Sequence, residues 1–92
     1  MKRIEEAQKI LRKIAELLRY GDVADWAEAL ESLERDMSAD PERVFAQIPR
    51  LYGGVGSLND IVLYRRGRLL GPESNELDAL RVRLHSLCRY PD

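Results

Sequence analysis

The chain is poor in the residues that build most catalytic and metal centres. Its 92 residues include one cysteine, one histidine and few aromatic residues (7%). A single cysteine excludes an intramolecular disulfide and is typical of a reducing compartment, so we expect a cytoplasmic protein. One histidine and one cysteine fall short of the usual zinc ligand sets unless carboxylates or a second chain complete them. We therefore expect no metal and no other cofactor.

Long hydrophobic runs are also missing. Charged side chains interrupt every helical segment, so no stretch predicts a membrane span. The N-terminal sequence MKRIEEAQKIL starts with basic residues but lacks the apolar core of a signal peptide. We expect no membrane partner. The hydrophobic fraction of 45% is typical of a globular protein, and the length predicts a single domain over residues 1–92.

The net charge of −1 conceals an uneven distribution along the chain. Residues 1–20 carry a net charge of +3, residues 21–42 carry −7, residues 43–72 carry +4 and residues 73–92 carry −1. The acidic block and a pI near 5.9 argue against a nucleic-acid partner. Such segregation concerns partners and internal pairing rather than the fold.

Two amphipathic helices are predicted in the first part of the chain. Apolar residues recur at helical spacing through residues 3–20, and Gly21 stands where a helix C-terminal glycine is expected. Asp22 is expected to cap the second helix. Because the link is so short, residues 1–37 are predicted to form an antiparallel helical hairpin. Trp26 shares the apolar face of the second helix and is expected in the core.

The rest of the chain predicts three further parts. Asp40, followed by a proline, predicts the start of a short third helix within residues 41–52, which Pro49 kinks or ends. A glycine-rich loop and a small β-hairpin follow over residues 53–71. A C-terminal helix is expected over residues 73–89.

The β-hairpin is predicted from the apolar residues 61–64, a turn at residues 65–67 and a return strand at residues 68–70. Ser74 or Asn75 is expected to cap the C-terminal helix. The fold class is therefore mainly helical α+β, with an antiparallel helical hairpin, a short third helix, a glycine-rich loop, a β-hairpin and a C-terminal helix.

The glycine-rich loop is the most unusual stretch of the chain. Its characteristic residues are Gly53, Gly54, Gly56, Ser57, Asn59 and Asp60. A phosphate-binding loop would need a lysine and a following helix, whereas a strand is expected here. A structural turn is favoured, with a partner-recognition loop or an anion site left open. At least one glycine should have positive φ, and Asn59 or Asp60 should bond nearby backbone.

Charged side chains suggest a surface for binding a partner. The candidate residues are Asp25, Glu28, Glu31 and Glu34 on the second helix and Arg65 and Arg66 in the hairpin. The acidic face is either solvated and balanced by the first helix or a docking face for a basic protein, for example a nuclease-type toxin. The hairpin arginines are either solvated or able to make bidentate contacts with an acidic partner.

Catalytic candidates are weaker. His85 and Cys88 lie three residues apart on one predicted helix, but no other histidine or cysteine completes a nucleophile or metal site. Carboxylates that pair with Asp60 for acid–base chemistry could come from the start of the last helix, and nothing in the sequence fixes their separation. We expect no catalytic residues and no enzyme.

Residues 52–64 resemble a family of small bacterial proteins of uncharacterised function. Members of that family carry a helical N-terminal half, the motif Gly-Gly-Met-Gly-Ser-Phe-Asn-Asp-Leu, an apolar strand and a leucine-rich C-terminal helix. The glycine-rich loop matches this motif, with Val55 and Leu58 as conservative departures, and residues 75–84 look similar as well. The resemblance implies the fold and a bacterial origin but no activity.

The function that these patterns favour is a non-enzymatic protein-interaction module, either an immunity-type protein or a regulatory partner binder. It would use the acidic helix face and the glycine-rich loop to contact another protein, and a basic partner fits best. The alternative is a small-ligand or anion binder, or a minor enzyme, that uses residues 53–60. A homodimer that pairs hairpin edges or helix faces is a further possibility.

Overall fold

The computed structural model describes residues 2–53 and 56–89. Within them the chain forms four α-helices, two short 3-10 helices and one antiparallel β-hairpin, which confirms the mainly helical α+β class. The elements are α1 (Lys2–Tyr20), α2 (Ala24–Ala39), α3 (Pro41–Gln47), a first 3-10 helix (Ile48–Tyr52), a second 3-10 helix (Leu58–Asp60), β1 (Tyr64–Arg65), β2 (Arg68–Leu69) and α4 (Gly71–Arg89).

The core lies where α1 meets α2 on one flank and α4 on the other. The four α-helices and both 3-10 helices contribute apolar side chains that are fully or nearly fully buried. The hairpin contributes through Leu63, which lies directly before β1 and is fully buried. Trp26, expected in the core, is partly buried and packs against it. None of the helices in the described residues is long and apolar enough to cross a membrane.

The turn between α1 and α2 does not use Gly21 and Asp22 as the sequence predicts. Asp22, not Gly21, has the positive φ (63°), and the N–H of Val23 donates to the carbonyl of Leu18 at 2.8 Å. The prediction that Asp22 caps α2 is wrong, because the N-cap position falls on Val23 and has no side-chain hydrogen bond. Gly21 is required for space: a Cβ there would lie 2.7 Å from Cδ2 of Leu63.

The third helix begins as predicted. The carboxylate of Asp40 accepts a hydrogen bond from the N–H of Arg43 at 3.3 Å, and Pro41 occupies the first turn, where its missing N–H costs nothing. At Pro49 the α-helix has already given way to the tighter 3-10 helix that runs to Tyr52. The prediction of a short third helix within residues 41–52 that ends near Pro49 is therefore confirmed.

The β-hairpin is shorter than the sequence predicts. Tyr64 pairs with Leu69 and Arg65 pairs with Arg68, around a two-residue turn in which both central residues, Arg66 and Gly67, have positive φ. Residues 61–63 form no strand: the carbonyl of Leu63 still accepts a hydrogen bond from the N–H of Leu70 at 2.9 Å, but the N–H of Leu63 bonds outside the hairpin.

The start of α4 explains the short hairpin. The N–H of Leu63 donates to Oγ of Ser74 at 3.1 Å, so this hydroxyl ties the hairpin to α4. The prediction that Ser74 or Asn75 caps the helix is wrong: α4 begins at Gly71, and the N–H of Ser74 already bonds to the carbonyl of Leu70. Pro72 fits this first turn because a helix leaves its first N–H groups unpaired.

Candidate protein-interaction site

The acidic face of α2 divides into a paired half and an unpaired half. Glu31 forms a bidentate ion pair with Arg19 of α1, with N···O distances of 2.7 and 2.8 Å. The hydrogen bonds from Arg19 lower the pKa of Glu31. Glu34 pairs with Arg12 at 3.4 Å. These two acids therefore bind α1 within the chain, as expected if the acidic face balances the first helix.

Asp25 and Glu28 form the unpaired half. Both side chains are exposed, and the described part of the chain offers neither of them an ion pair within 4.0 Å. Asp25 lies in the first turn of α2, where the helix dipole favours a negative charge. These two carboxylates are available to a basic partner.

The two hairpin arginines have different roles. The guanidinium of Arg65 donates to the carbonyl of Tyr20 at 3.0 Å and stacks over its ring at 4.5 Å. Arg65 thus fixes the hairpin against the end of α1 and is occupied within the chain. Arg66, at the hairpin turn, is exposed. The hairpin is consequently held at the end of the helical pair where α2 begins.

The outward face of the hairpin is apolar and exposed. Val62, Tyr64 and Leu69 leave 49%, 52% and 59% of their surface accessible. Successive residues of an extended chain point to opposite sides, so Leu63 and Arg65 face the helices while Val62 and Tyr64 face outward. Leu69 is the cross-strand partner of Tyr64 and lies beside it. We call Val62, Tyr64 and Leu69 the outward hairpin face.

This face was not predicted from the sequence, although a signal was present. A two-stranded hairpin that leans on helices can bury one face only, so alternate apolar residues must remain outside. Reading residues 62–65 with a period of two separates Val62 and Tyr64 from Leu63 and Arg65. Which of the two sets faces outward depends on Gly21, whose missing side chain leaves room for Leu63.

The glycine-rich loop behaves as a structural turn in its described part. Gly56 has a φ of 79°, and its N–H donates to the carboxylate of Asp60 at 2.9 Å, so both conformational expectations are confirmed. Gly53 is extended, with a φ of −96°. Ser57 is buried, whereas Asn59 is exposed. The predicted loop residue Gly54, with its neighbour Val55, lies outside the described residues.

A buried arginine holds this loop against α4. Arg81, only 6% exposed, donates from Nη1 to the carbonyls of Leu58 at 2.8 Å and Ile61 at 3.0 Å, and from Nη2 to the carboxylate of Asp78. Burial lowers the pKa of Arg81. Within the described residues, its Nε and the hydroxyl of Ser57 are buried without a hydrogen-bond partner. Arg81 supplies the donors that this irregular stretch needs to bury its backbone.

The sequence carried a sign of this role as well. Arg81 lies four residues after Leu77 and three before Leu84, so it falls on the buried stripe of the last helix. A buried arginine needs partners, and backbone carbonyls of an irregular segment are suitable ones. What the sequence could not show is which segment provides them.

A second titratable cluster links the first 3-10 helix to α4. The hydroxyl of Tyr52 donates to the carbonyl of Arg81 at 2.6 Å, and its ring packs edge-on against His85, with the centroids 4.9 Å apart. Burial raises the pKa of Tyr52 and raises that of the Cys88 thiol to about 11. A thiol with so high a pKa is protonated at neutral pH and is a poor nucleophile. In the described residues no group of three or more histidine, cysteine or carboxylate side chains could hold a metal ion.

These features define a small, mainly helical α+β domain in which Arg81 hydrogen-bonds the glycine-rich loop segment to α4 and the outward hairpin face is exposed. The chain belongs to the family described as "Domain of unknown function (DUF6966)", whose model matches residues 19–71. The match confirms the expected membership of an uncharacterised family. It runs from the end of α1 to the start of α4 and so includes α2, the loop and the hairpin, but not residues 75–84. No curated protein and no solved structure matches the chain.

Proposed function

We propose that this protein is a non-enzymatic protein-interaction module that binds its partner through the outward hairpin face and the acids Asp25 and Glu28. The observation that carries the proposal is the exposure of three neighbouring apolar side chains on a hairpin whose other face is anchored. Tyrosine is enriched among the residues that dominate binding energy at interfaces. Tyr64 is the anchor that we expect to contribute most.

The chemistry of the surface suggests the partner. Tyr64 and Leu69 need an apolar counterpart, and Asp25 with Glu28 needs basic side chains. Charge complementarity of this kind accelerates encounter and selects among partners more than it adds affinity. A basic protein with an apolar patch beside its lysines or arginines fits both requirements.

We further propose a cellular setting for this interaction. The resemblance of residues 52–64 to small bacterial proteins supports a bacterial origin, and the single cysteine supports the cytoplasm. An immunity-type protein that neutralises a basic toxin, or a regulator that holds a basic enzyme, would use such a surface. The two versions differ in the partner's activity and not in the contact chemistry.

A ligand site in the glycine-rich loop has less support. The carboxylate of Asp60 is engaged by the N–H of Gly56, and the hydroxyl of Ser57 is buried. The carboxylate of Asp60 thus serves the loop itself, the hydroxyl of Ser57 is shielded from solvent, and the open grooves between α1 and α4 and along α3 lie elsewhere.

The test is affinity capture from native cells with surface variants. The hairpin variant combines Tyr64→Ser with Leu69→Ser, and the acidic variant combines Asp25→Lys with Glu28→Lys. Val82→Ser is the matched control, because Val82 is 67% exposed but lies on α4. We expect a protein that the wild type and the control recover equally and that each surface variant recovers at least about tenfold less, the equivalent of about 1.4 kcal/mol.

Two results would contradict the proposal. One is that no recovered protein depends on either pair of substitutions. The other is that the control loses the same protein as the surface variants. Far-ultraviolet circular dichroism must show that every variant retains the helical content of the wild type, so that loss of binding is separated from loss of folding.

A further inference from the structure

An open groove of about 680 Å³ runs between α1 and α4. Its apolar floor includes Ile10, Leu80 and Leu87. An ion pair between Glu6 and Arg83, at 2.6 Å, crosses from one helix to the other. The two helices pack directly on each other below this groove, so it is a surface channel that a further helix could fill.

The rim of the groove carries unpaired positive charge. Lys2, Lys9 and Lys13 line it from α1, and all three are exposed. The described part of the chain supplies no ion pair to any of them. Arg3, also in the lining, is occupied, since it donates to the carbonyl of Leu87 at 3.0 Å and stacks on the ring of Phe45 at 3.8 Å. Glu5 offsets part of the lysine charge but leaves the rim basic.

The outward face of α2 has the complementary character. Asp25 and Glu28 are exposed and unpaired, and the exposed Ala24 and Ala29 flank them with small side chains. Small side chains allow another helix to approach closely. This face therefore presents two carboxylates between small neighbouring side chains on the helix surface.

The chain already shows that these two helices are complementary. Arg12 and Arg19 of α1 pair with Glu34 and Glu31 of α2 along the seam between them. The lysines of the groove and the outward acids of α2 repeat the same chemistry on faces that point away from the seam. Within one molecule they do not pair, whereas between two molecules they can.

We propose that the groove between α1 and α4 binds the outward face of α2 of a second copy of this chain. Lys9 and Lys13, one helical turn apart, face Asp25 and Glu28 of that copy. The two contact surfaces differ, so the interface is head-to-tail and builds open chains or closed rings. This assembly does not depend on the proposed function. It uses Asp25 and Glu28, so it competes with a basic partner for them.

The test exchanges the charges of the two surfaces. The groove variant combines Lys9→Glu with Lys13→Glu. The second protein is the acidic variant defined above, which combines Asp25→Lys with Glu28→Lys. Sedimentation velocity follows the mass of each protein with concentration, at low salt and at about 0.5 M salt, where exposed charges are screened. We expect wild-type mass to rise with concentration and the rise to vanish at high salt.

Each variant alone places like charges across the contact, so its dissociation constant should rise at least about tenfold. An equimolar mixture of the two restores opposite charges at the contact and should associate again. The matched controls reverse charges elsewhere: Arg50→Glu with Arg68→Glu, and Glu42→Lys with Glu76→Lys. Both controls should associate with themselves like the wild type.

A wild type that stays monomeric at about 1 mM, near the weak limit of specific binding, overturns the inference. So does self-association of either variant like that of the wild type, or failure of the folded variants to associate when mixed. The groove variant leaves the outward hairpin face, Asp25 and Glu28 intact. It therefore keeps capturing the partner of the proposed function even if self-association is absent, and the two ideas can fail separately.

Discussion

Replacing Gly21 by alanine tests how the β-hairpin seats on the helical pair. A Cβ at this position would lie 2.7 Å from Cδ2, 3.0 Å from Cβ and 3.3 Å from Cγ of Leu63. Leu63 is fully buried, and rotation of its side chain cannot move its own Cβ away from the added methyl group. The added methyl group must therefore displace the hairpin, compress the core or both.

The size of the effect follows from two opposing contributions. Inserting a methyl group into a packed site costs about 1–3 kcal/mol. Replacing glycine by alanine also restricts the unfolded chain, which returns about 0.4–1 kcal/mol. We expect a net loss of about 1–2 kcal/mol in the free energy of unfolding. In a domain of this length each kcal/mol lowers the melting temperature by roughly 4–8 °C.

The assay is a double-mutant cycle measured by urea unfolding. The cycle comprises the wild type, Gly21→Ala, Leu63→Ala and the double variant. Leu63→Ala alone should cost about 2–5 kcal/mol, because it empties a buried site. In the double variant the new methyl group occupies part of the vacated space, so the combined cost should fall short of the sum by about 1 kcal/mol or more.

Additive effects in this cycle would refute the reasoning. They would mean that alanine is tolerated or penalised at position 21 for a reason local to the turn, such as backbone conformation. An unchanged stability of Gly21→Ala would refute it as well, because the close approach to Leu63 would then be of no consequence.

Two further predictions concern buried groups. Arg81→Met should lower the free energy of unfolding by about 2–4 kcal/mol, because the carbonyls of Leu58 and Ile61 lose their donors. Urea unfolding measures this change. A loss below about 0.5 kcal/mol would show that the hydrogen bonds from Arg81 are dispensable for stability. Alkylation of Cys88 should be at least about tenfold slower in the folded than in the unfolded chain at neutral pH, because burial raises its thiol pKa from 9.0 to about 11. The thiolate fraction then falls about a hundredfold, and the greater nucleophilicity of the more basic thiolate offsets about tenfold of that fall. The raised pKa also means that stability falls as the pH rises from about 9 to 11, since the unfolded chain releases the proton first; equal alkylation rates in the two states would contradict this account.

Local features of the sequence were sufficient for most helices and for one turn. The spacing of apolar residues predicted α1 and α2, and Asp40 with Pro41 predicted the start of α3. Gly56 was among the glycines expected to adopt positive φ, and Asp60 was expected to bond nearby backbone. Each of these depends on residues within about one helical turn, so the amino-acid order contains the necessary information.

The candidate site was predicted only in part. From the sequence, all four acids of α2 were candidates for binding a partner. In the fold, Glu34 and Glu31 are instead paired within the chain, because Arg12 and Arg19 of α1 lie within reach of them. In the same way, Arg65 was expected either to be solvated or to bind an acidic partner, and instead it contacts Tyr20. Pairing between elements depends on the angle and register at which helices pack, and residue spacing along one helix does not encode these.

By itself the sequence determined the mainly helical fold, the uneven charge and the unusual backbone at Gly56. These follow from helical periodicity, from composition and from the conformational freedom of glycine. The tertiary structure alone decided that Gly21 makes room for Leu63, that Arg81 braces the loop and that Tyr64 and Leu69 remain exposed. Each of these arises where segments distant in sequence come into contact, because steric fit and burial are properties of that contact and not of either segment.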